Sequence, residues 1–255
     1  MNKSLSHTTI FTDGSSRRNP GPGGWAAVLV EVPDAKTSQK SVHESDPTVT
    51  ELGGKEDHTT NNRMELMACE KGLVHASTDS EITVFTDSKY VINGITKWIH
   101  GWKRNGWKTK AKEDVLNRDL WEKLSDALAY REVEWKYVAG HEGILGNERC
   151  DHIATGFADS NSVKLYKGPL SGYDLPKILD ISLDETKSSA KKSDSARKKS
   201  AAYSYVSSVG GVIEVHHSWP ECEKRVKGAK GARYKKAISQ SDEEAIVEEF
   251  GAYLV

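Results

Sequence analysis

Apolar and polar positions alternate along this chain in two distinct regimes. Runs rich in β-branched and aromatic residues, bounded by polar or glycine-rich segments, predict strands at His7–Thr12, Trp25–Val32, Ile82–Thr86 and Val133–Val138. Elsewhere the apolar spacing lengthens to helical intervals. Leu66, Cys69, Leu73 and Ala76 predict a helix from Asn62; Ile92, Ile95 and Ile99 predict a second; Leu120, Leu124, Ala127 and Leu128 a third. Ile153, Ala154 and Phe157 predict a last helix over Asn147–Phe157. The segment SSRRNPGPGG separates the first two strands, and the polar stretch Pro33–His58 reads as a long hairpin loop with another strand near its end. A meander followed by alternating helices and strands predicts an α/β fold, a mixed five-stranded sheet flanked by helices.

The pattern breaks at DETKSSAKKSDSARKKSA, Asp184–Ala201, which has no aromatic or branched apolar residue and cannot order itself by burial. The chain therefore divides into a body over residues 1–160, a tail and flexible basic linker over 161–200, and a small α+β module over 201–255. Within the tail, GPLSGYDLPKIL is expected to lie extended against the body.

Composition narrows the function classes. Hydrophobic residues at 36% and charged residues at 29% describe a chain with a core, and no apolar run is long enough to span a bilayer. The start MNKSLSHTTI has no basic region followed by an apolar stretch, so no signal segment is read and a cytoplasmic location is expected. Cys69, Cys150 and Cys222 are far apart and lack CxxC spacing, which points to reduced thiols rather than zinc. The net charge of -1 hides segregation: Lys187 to Lys236 holds thirteen Lys and Arg against four Asp and Glu. Such a segment attracts polyanions and favours a nucleic-acid partner over a neutral metabolite.

Two strands end alike, TTIFTDGSS at Asp13 and ITVFTDSKY at Asp87. If they lie parallel and adjacent, both carboxylates emerge at one sheet edge, where open α/β sheets bind ligands. Their repulsion needs a shared proton or a cation, and Mg²⁺ or Mn²⁺ suits oxygen donors. Glu65, after TTNNRM, and Asp151, after GHEGILGNERC, add two more acids. Four carboxylates can hold two divalent ions, the arrangement that suits phosphodiester hydrolysis. Each acid alone has a plainer reading: Asp13 capping the GSS turn, Glu65 favouring a helix start, Asp151 pairing with Arg149 or capping its helix.

Together, IFTDGSSRRNPGPGGWA, TTNNRMEL, VFTDSKYV, WKTKAKEDVLNRDLWEKL and AGHEGILGNERCDHIA resemble the successive motifs of bacterial type 1 ribonuclease H, in family order from about residue 7 to 160. The resemblance implies an endonuclease that cuts the RNA of RNA/DNA hybrids. It places the four metal-binding acids on Asp13, Glu65, Asp87 and Asp151, with Asp13 shared between two Mg²⁺ ions for which Mn²⁺ can substitute. His141 falls on the flexible-loop histidine, suited to proton transfer or product departure. Asn19 and Thr60 fall on a phosphate pocket for the DNA strand, and Asn61 and Asn62 suit 2′-hydroxyls and minor-groove edges. Arg63 suits either an ion pair or a phosphate contact.

Lys97 to Lys112 resembles the basic protrusion of the bacterial enzymes, with Trp98, Trp102, Lys103, Lys108 and Lys110 as candidate hybrid contacts. The competing role for the tryptophans is helix packing. The loop Pro33–His58 is longer than in the compact bacterial pattern. Residues 201–255 resemble the small hybrid-binding domain of eukaryotic type 1 ribonucleases H, related to the caulimovirus viroplasmin N-terminus, through SWPEC, VKGAKGARYKK and an acidic helix. Trp219 and Tyr234 would face sugars, and Arg233, Lys235 and Lys236 the DNA phosphates. Either Tyr203 or Tyr205 would join them. Such modules usually precede the catalytic domain; here it follows. No obligate protein partner is evident, and the catalytic domain is expected to be monomeric. The complete acid set argues against a non-catalytic hybrid-binding protein, and the TTNNRMEL and NERCD phrases against a transposase-like relative.

Overall fold

Every expected strand forms: β1 (Ser6–Ser16), β2 (Gly21–Val32), β3 (Thr48–Thr59), β4 (Ser80–Thr86) and β5 (Val133–Tyr137), the last ending one residue before the expected Val138. The computed structural model describes residues 6–34, 46–109, 112–129, 131–138, 143–181 and 202–252. The linker Asp184–Ala201, His141, Lys110 and residues 35–45 of the long loop lie outside that set. The chain divides into two compact units, Met1–Ile92 with Asp119–Ser182, and Asn93–Arg118 with Leu183–Val255. No helix among the described residues is long and apolar enough to cross a membrane.

In the first unit β1 is buried from Thr8 to Gly14, with Ile10 and Phe11 as its apolar side chains between β-branched threonines. On one face Phe11, Val28 and Val30 pack with Ile153 and Ala154 of α5 (Leu145–Ala158). On the other, α1 (Asn61–His75) approaches so closely that a Cβ on Gly72 would meet Ile10 and Ala27. β1 pairs antiparallel with β2 and parallel with β4; β4 pairs parallel with β5. The helix α4 (Arg118–Ala127) buries Leu120, Trp121 and Leu124, and Trp121 donates to the Tyr90 hydroxyl at 2.7 Å.

The sheet has six strands rather than five, in the order β5-β4-β1-β2-β3-β6. The sixth, β6 (Lys167–Pro169), comes from the tail and pairs with Thr48–Thr50 of β3. Three residues are too few to show a period-two pattern, so no strand was expected there. The tail does lie against the body: Tyr173 and Ile178 are buried in the same cluster as Phe11 and Val28. It covers what would otherwise be the exposed edge of β3.

In the second unit, the residues after α2 (Lys89–Asn93) continue as a π-helical turn, Gly94–Trp98, and α3 (Ile99–Arg104), so the expected single helix is interrupted. Trp98 and Trp102 meet at 5.6 Å between ring centroids. Trp102 is only 3% exposed, so its ring is taken up in packing, the competing role for these tryptophans. Trp98 is half-buried, and Lys103 is exposed. Lys108 is paired with Asp114 at 2.8 Å.

The C-terminal part of this unit is a separate sheet, β7 (Ser204–Val209), β8 (Val212–His216) and β9 (Arg233–Ala237), in the order β8-β7-β9. Gly210 and Gly211 both have positive φ, 59° and 88°, as a two-residue hairpin turn requires. Val206 and Ala237 pack with Ile246 and Phe250 of α7 (Gln240–Ala252). Tyr205 and Tyr234 flank Trp219, the first residue of α6 (Trp219–Val226), with centroids 5.5 and 5.1 Å away. Tyr205, not the more exposed Tyr203, joins the aromatic group.

Candidate active site

Thr12 pairs with Thr86 at the last rung of the parallel β1–β4 ladder. The next residue of each strand is a carboxylate, so Asp13 and Asp87 leave the sheet at one edge. β1 continues against β2, with Asp13 opposite Ala26, and this fixes Asp13 from its other side. The turn carrying Asp87 is held by hydroxyls on both flanks: Ser88 N–H donates to Thr86 Oγ1 at 3.2 Å, and Val91 N–H to Ser88 Oγ at 3.3 Å.

Glu65 arrives from α1. Thr60 caps that helix, its Oγ1 accepting from the Arg63 N–H at 3.4 Å. The first turn then lies directly over β1, and a Cβ on Gly14 would overlap the Glu65 nitrogen and the Met64 carbonyl carbon. Glycine beside Asp13 is what lets Glu65 come this close. Asn61 Nδ2 donates to Glu65 Oε1 at 3.3 Å.

The result is one group, Asp13, Glu65 and Asp87, each offering a carboxylate oxygen within 4.8 Å of the others. Asp13 and Glu65 are both 6% exposed. Burial, and then the charges of Asp87 and Asp151, push the Asp13 carboxyl well above its ordinary value; the Gly14 N–H, donating at 2.7 Å, only partly opposes this. A site of hard oxygen donors whose own charge is unfavourable fits a divalent cation, which would relieve that repulsion. Cys69, beside Thr12, is pushed up to about 12 by burial and stays a thiol.

Asp151 is not in that group. It is exposed on the second turn of α5, near enough to raise Asp13, and its Oδ1 accepts from Thr155 Oγ1 at 3.4 Å. The pairing of Asp151 with Arg149 does not occur. Arg149 instead forks onto Glu51 of β3, with Nε at 2.6 Å and Nη2 at 2.8 Å. Arg63 makes an ion pair, forking onto Asp119 at 2.8 and 2.7 Å. Thr60 and Asn61 are half-buried, Asn62 is 6% exposed, and Asn19 lies in the bend between β1 and β2.

Sequence reasoning passed over Glu51, Tyr166 and Tyr173. Glu51 is 3% exposed and also accepts from the Tyr173 hydroxyl at 2.6 Å and the Tyr166 N–H at 2.9 Å. Burial alone would raise the Glu51 carboxyl, but these hydrogen bonds and the Arg149 charge hold it below the usual range. An acid at an inward strand position was the available signal.

A family model described as RNase H matches residues 6–158, more than half of the chain. The chain belongs to the ribonuclease H family. Membership makes it a nuclease, a hydrolase of phosphodiester bonds. The ribonuclease H of Roseobacter denitrificans is 52% identical over 144 residues, 56% of this chain and 90% of that one. That of Thermosynechococcus vestitus is 50% identical over 148 residues, 57% of this chain and 84% of the other. Among solved structures, LC9-RNase H1, a type 1 RNase H with the type 2 active-site motif, aligns with TM-score 0.57 at 25% identity, over 74% of this chain and 86% of that one. A second model, Ribonuclease H1 N-terminal domain, matches residues 205–242 and so follows the ribonuclease H match in the chain.

Proposed function

We propose that this family member is an endoribonuclease that hydrolyses the RNA strand of RNA/DNA hybrids, leaving 3′-hydroxyl and 5′-phosphate ends. One observation carries the reading: three carboxylates from β1, α1 and the end of β4 converge within 4.8 Å in a chain that matches the ribonuclease H model. Asp13, Glu65, Asp87 and Asp151 would together hold two Mg²⁺ ions, with Mn²⁺ as a substitute. Bound there, the ions would activate water and stabilise the departing oxygen.

The chain's own groups have distinct tasks. Asp13, its carboxylate oriented by the Gly14 N–H, would be the ligand shared between the ions. Glu65, steadied by Asn61, stands next to the ribose 2′-hydroxyl by which RNA differs from DNA. His141 assists proton transfer or product departure. Asn19 and Thr60 hold a phosphate of the DNA strand, and Asn61 and Asn62 read the minor groove. Trp98, Lys103, Lys108 and Lys110 contact the duplex from the basic protrusion.

The catalytic domain occupies residues 1–160, followed by the tail and linker over 161–200 and a duplex-binding module over 201–255. In that module Trp219 and Tyr234 face deoxyribose rings, while Arg233, Lys235 and Lys236 face phosphates. Trp219 suits this role because it stands outside the cluster of Val206, Ala237, Ile246 and Phe250. Tethering raises the local concentration of hybrid at the acids. The enzyme acts as a cytoplasmic monomer without an obligate protein partner.

Labelled hybrid, duplex RNA and duplex DNA, each with and without Mg²⁺, test the reading. Cleavage of the hybrid RNA alone, and only with metal, is expected. Binding without cleavage at any metal concentration would leave a hybrid-binding protein; DNA cleavage or strand joining would point to transposase-like chemistry.

A further inference from the structure

The helix that carries Asp151 begins without a side-chain cap: Ile144 makes no such bond to the first turn of α5. A helix end held only by its own backbone frays. Beyond the apolar packing of Ile153 and Ala154 farther along α5, three contacts seat this end. Gly146 lies flat against the Phe11 ring, where a Cβ would collide, and the Cys150 thiol donates to the Phe11 carbonyl at 3.2 Å. Positions 146 and 150 are four apart, so these two contacts lie on one line along the helix. Two points on a line still permit rocking about it.

Arg149 supplies the third point, off that line. Its fork onto Glu51 ties α5 to β3, and its Nη2 also reaches the Lys164 carbonyl at 3.2 Å. Glu51 is locked in turn, since Tyr173 Oη and the Tyr166 N–H occupy the rest of its acceptor capacity. The Tyr166 and Tyr173 rings pack at a 42° tilt with centroids 4.9 Å apart, and Tyr166 Oη donates to the Pro169 carbonyl at 2.7 Å. A buried network with its bonds this fully made has one low-energy arrangement. Asp151 stands two residues beyond Arg149 and touches none of these groups.

We propose that Glu51, Arg149 and Tyr173 are positioning residues for Asp151, so that the tail from Lys164 to Tyr173 belongs to the catalytic apparatus rather than to a linker. The proposal rests on the reading of Asp151 as a metal ligand. Outer groups that orient a ligand typically change metal affinity or activity by about 10- to 100-fold when altered.

A double-mutant cycle in the full chain tests it, with wild type, Glu51→Gln, Asp151→Asn and the double variant. The readouts are Mn²⁺ affinity of the substrate-free protein by calorimetry, and kcat and KM on the hybrid. Glu51→Gln is expected to weaken Mn²⁺ binding and lower kcat by about tenfold while leaving KM for the hybrid unchanged. In the Asp151→Asn background the same substitution should change neither. Tyr173→Phe, which keeps the ion pair, should show the same pattern at about threefold, and it runs the cycle if Glu51→Gln fails to fold. Equal losses in both backgrounds, or a lower melting temperature with unchanged Mn²⁺ affinity and kcat, would overturn the proposal. A wild type that binds Mn²⁺ but cuts no hybrid would defeat the proposed activity, while the Mn²⁺ arm still decides the positioning.

Discussion

Gly14 and Glu65 are in contact through their backbones, with no room between them for a Cβ. The neighbour that would be struck is the start of α1, not a flexible side-chain tip, so the helix itself must shift. Gly14→Ala is expected to cost about 1–3 kcal/mol through overpacking and to lower the cleavage rate in the same protein. Thermal unfolding and hybrid cleavage measured side by side check this. An unchanged melting temperature with normal activity would mean that the contact yields easily.

Asp13→Asn should separate chemistry from binding. Losing the shared ligand is expected to reduce turnover about a thousandfold, equivalent to about 4 kcal/mol, with hybrid affinity nearly unchanged. Stability moves the other way. Because the folded-state carboxyl is raised, the folded protein binds more protons than the unfolded chain above the ordinary value of 3.8. The metal-free protein therefore loses this contribution as pH rises from that value through the raised one, and Asp13→Asn should remove the loss. Melting curves against pH, without metal and with Mg²⁺, read it directly; Mg²⁺ should flatten the wild-type curve. A pH dependence identical in both proteins would contradict the account.

The three clustered acids were legible because each sits where a local pattern changes, at the end of a β-branched run or the start of a helical one. Asp13 and Asp87 could be placed on one edge because a crossover helix makes their strands parallel. Glu51 had no such local marker. Its partners Arg149 and Tyr173 are 98 and 122 residues away in the chain, beyond any periodicity. Trp102 was ambiguous in sequence: tryptophans interleaved with lysines resemble a binding surface, and only tertiary packing decides which ring is enclosed. In β6 the edge of β3 supplies the partner, so pairing there needs no strand propensity of its own.

The Glu51–Arg149 pair makes a distinct acid-side prediction. Arg149→Ala leaves a buried carboxylate without its cation, which is expected to cost about 3–5 kcal/mol. Since the folded Glu51 carboxyl lies below its ordinary 4.5, its contribution is present above that value and lost as pH falls through the depressed one. Glu51→Gln should therefore be less stable than wild type at neutral pH, and the difference should shrink with acidification below 4.5. Denaturant unfolding at several pH values checks both statements. A difference that stays constant with pH would assign the effect to packing alone.

Trp219 tests the C-terminal module with little risk to its fold, because Val206, Ala237, Ile246 and Phe250 form the core without it. Trp219→Ala should weaken hybrid binding by about 1–3 kcal/mol, the usual worth of one aromatic stacking partner, and leave kcat unchanged. A chain ending at Ser200 should bind more weakly still, because it also loses Arg233, Lys235 and Lys236. Charged contacts release counterions, so the logarithm of affinity falls with the logarithm of salt in proportion to their number. The shortened chain should show the shallower slope, and its deficit relative to the full chain should narrow as salt rises. Fluorescence anisotropy with labelled hybrid over a salt series measures both slopes. Equal slopes and equal affinities would show that the duplex is held by the catalytic part alone.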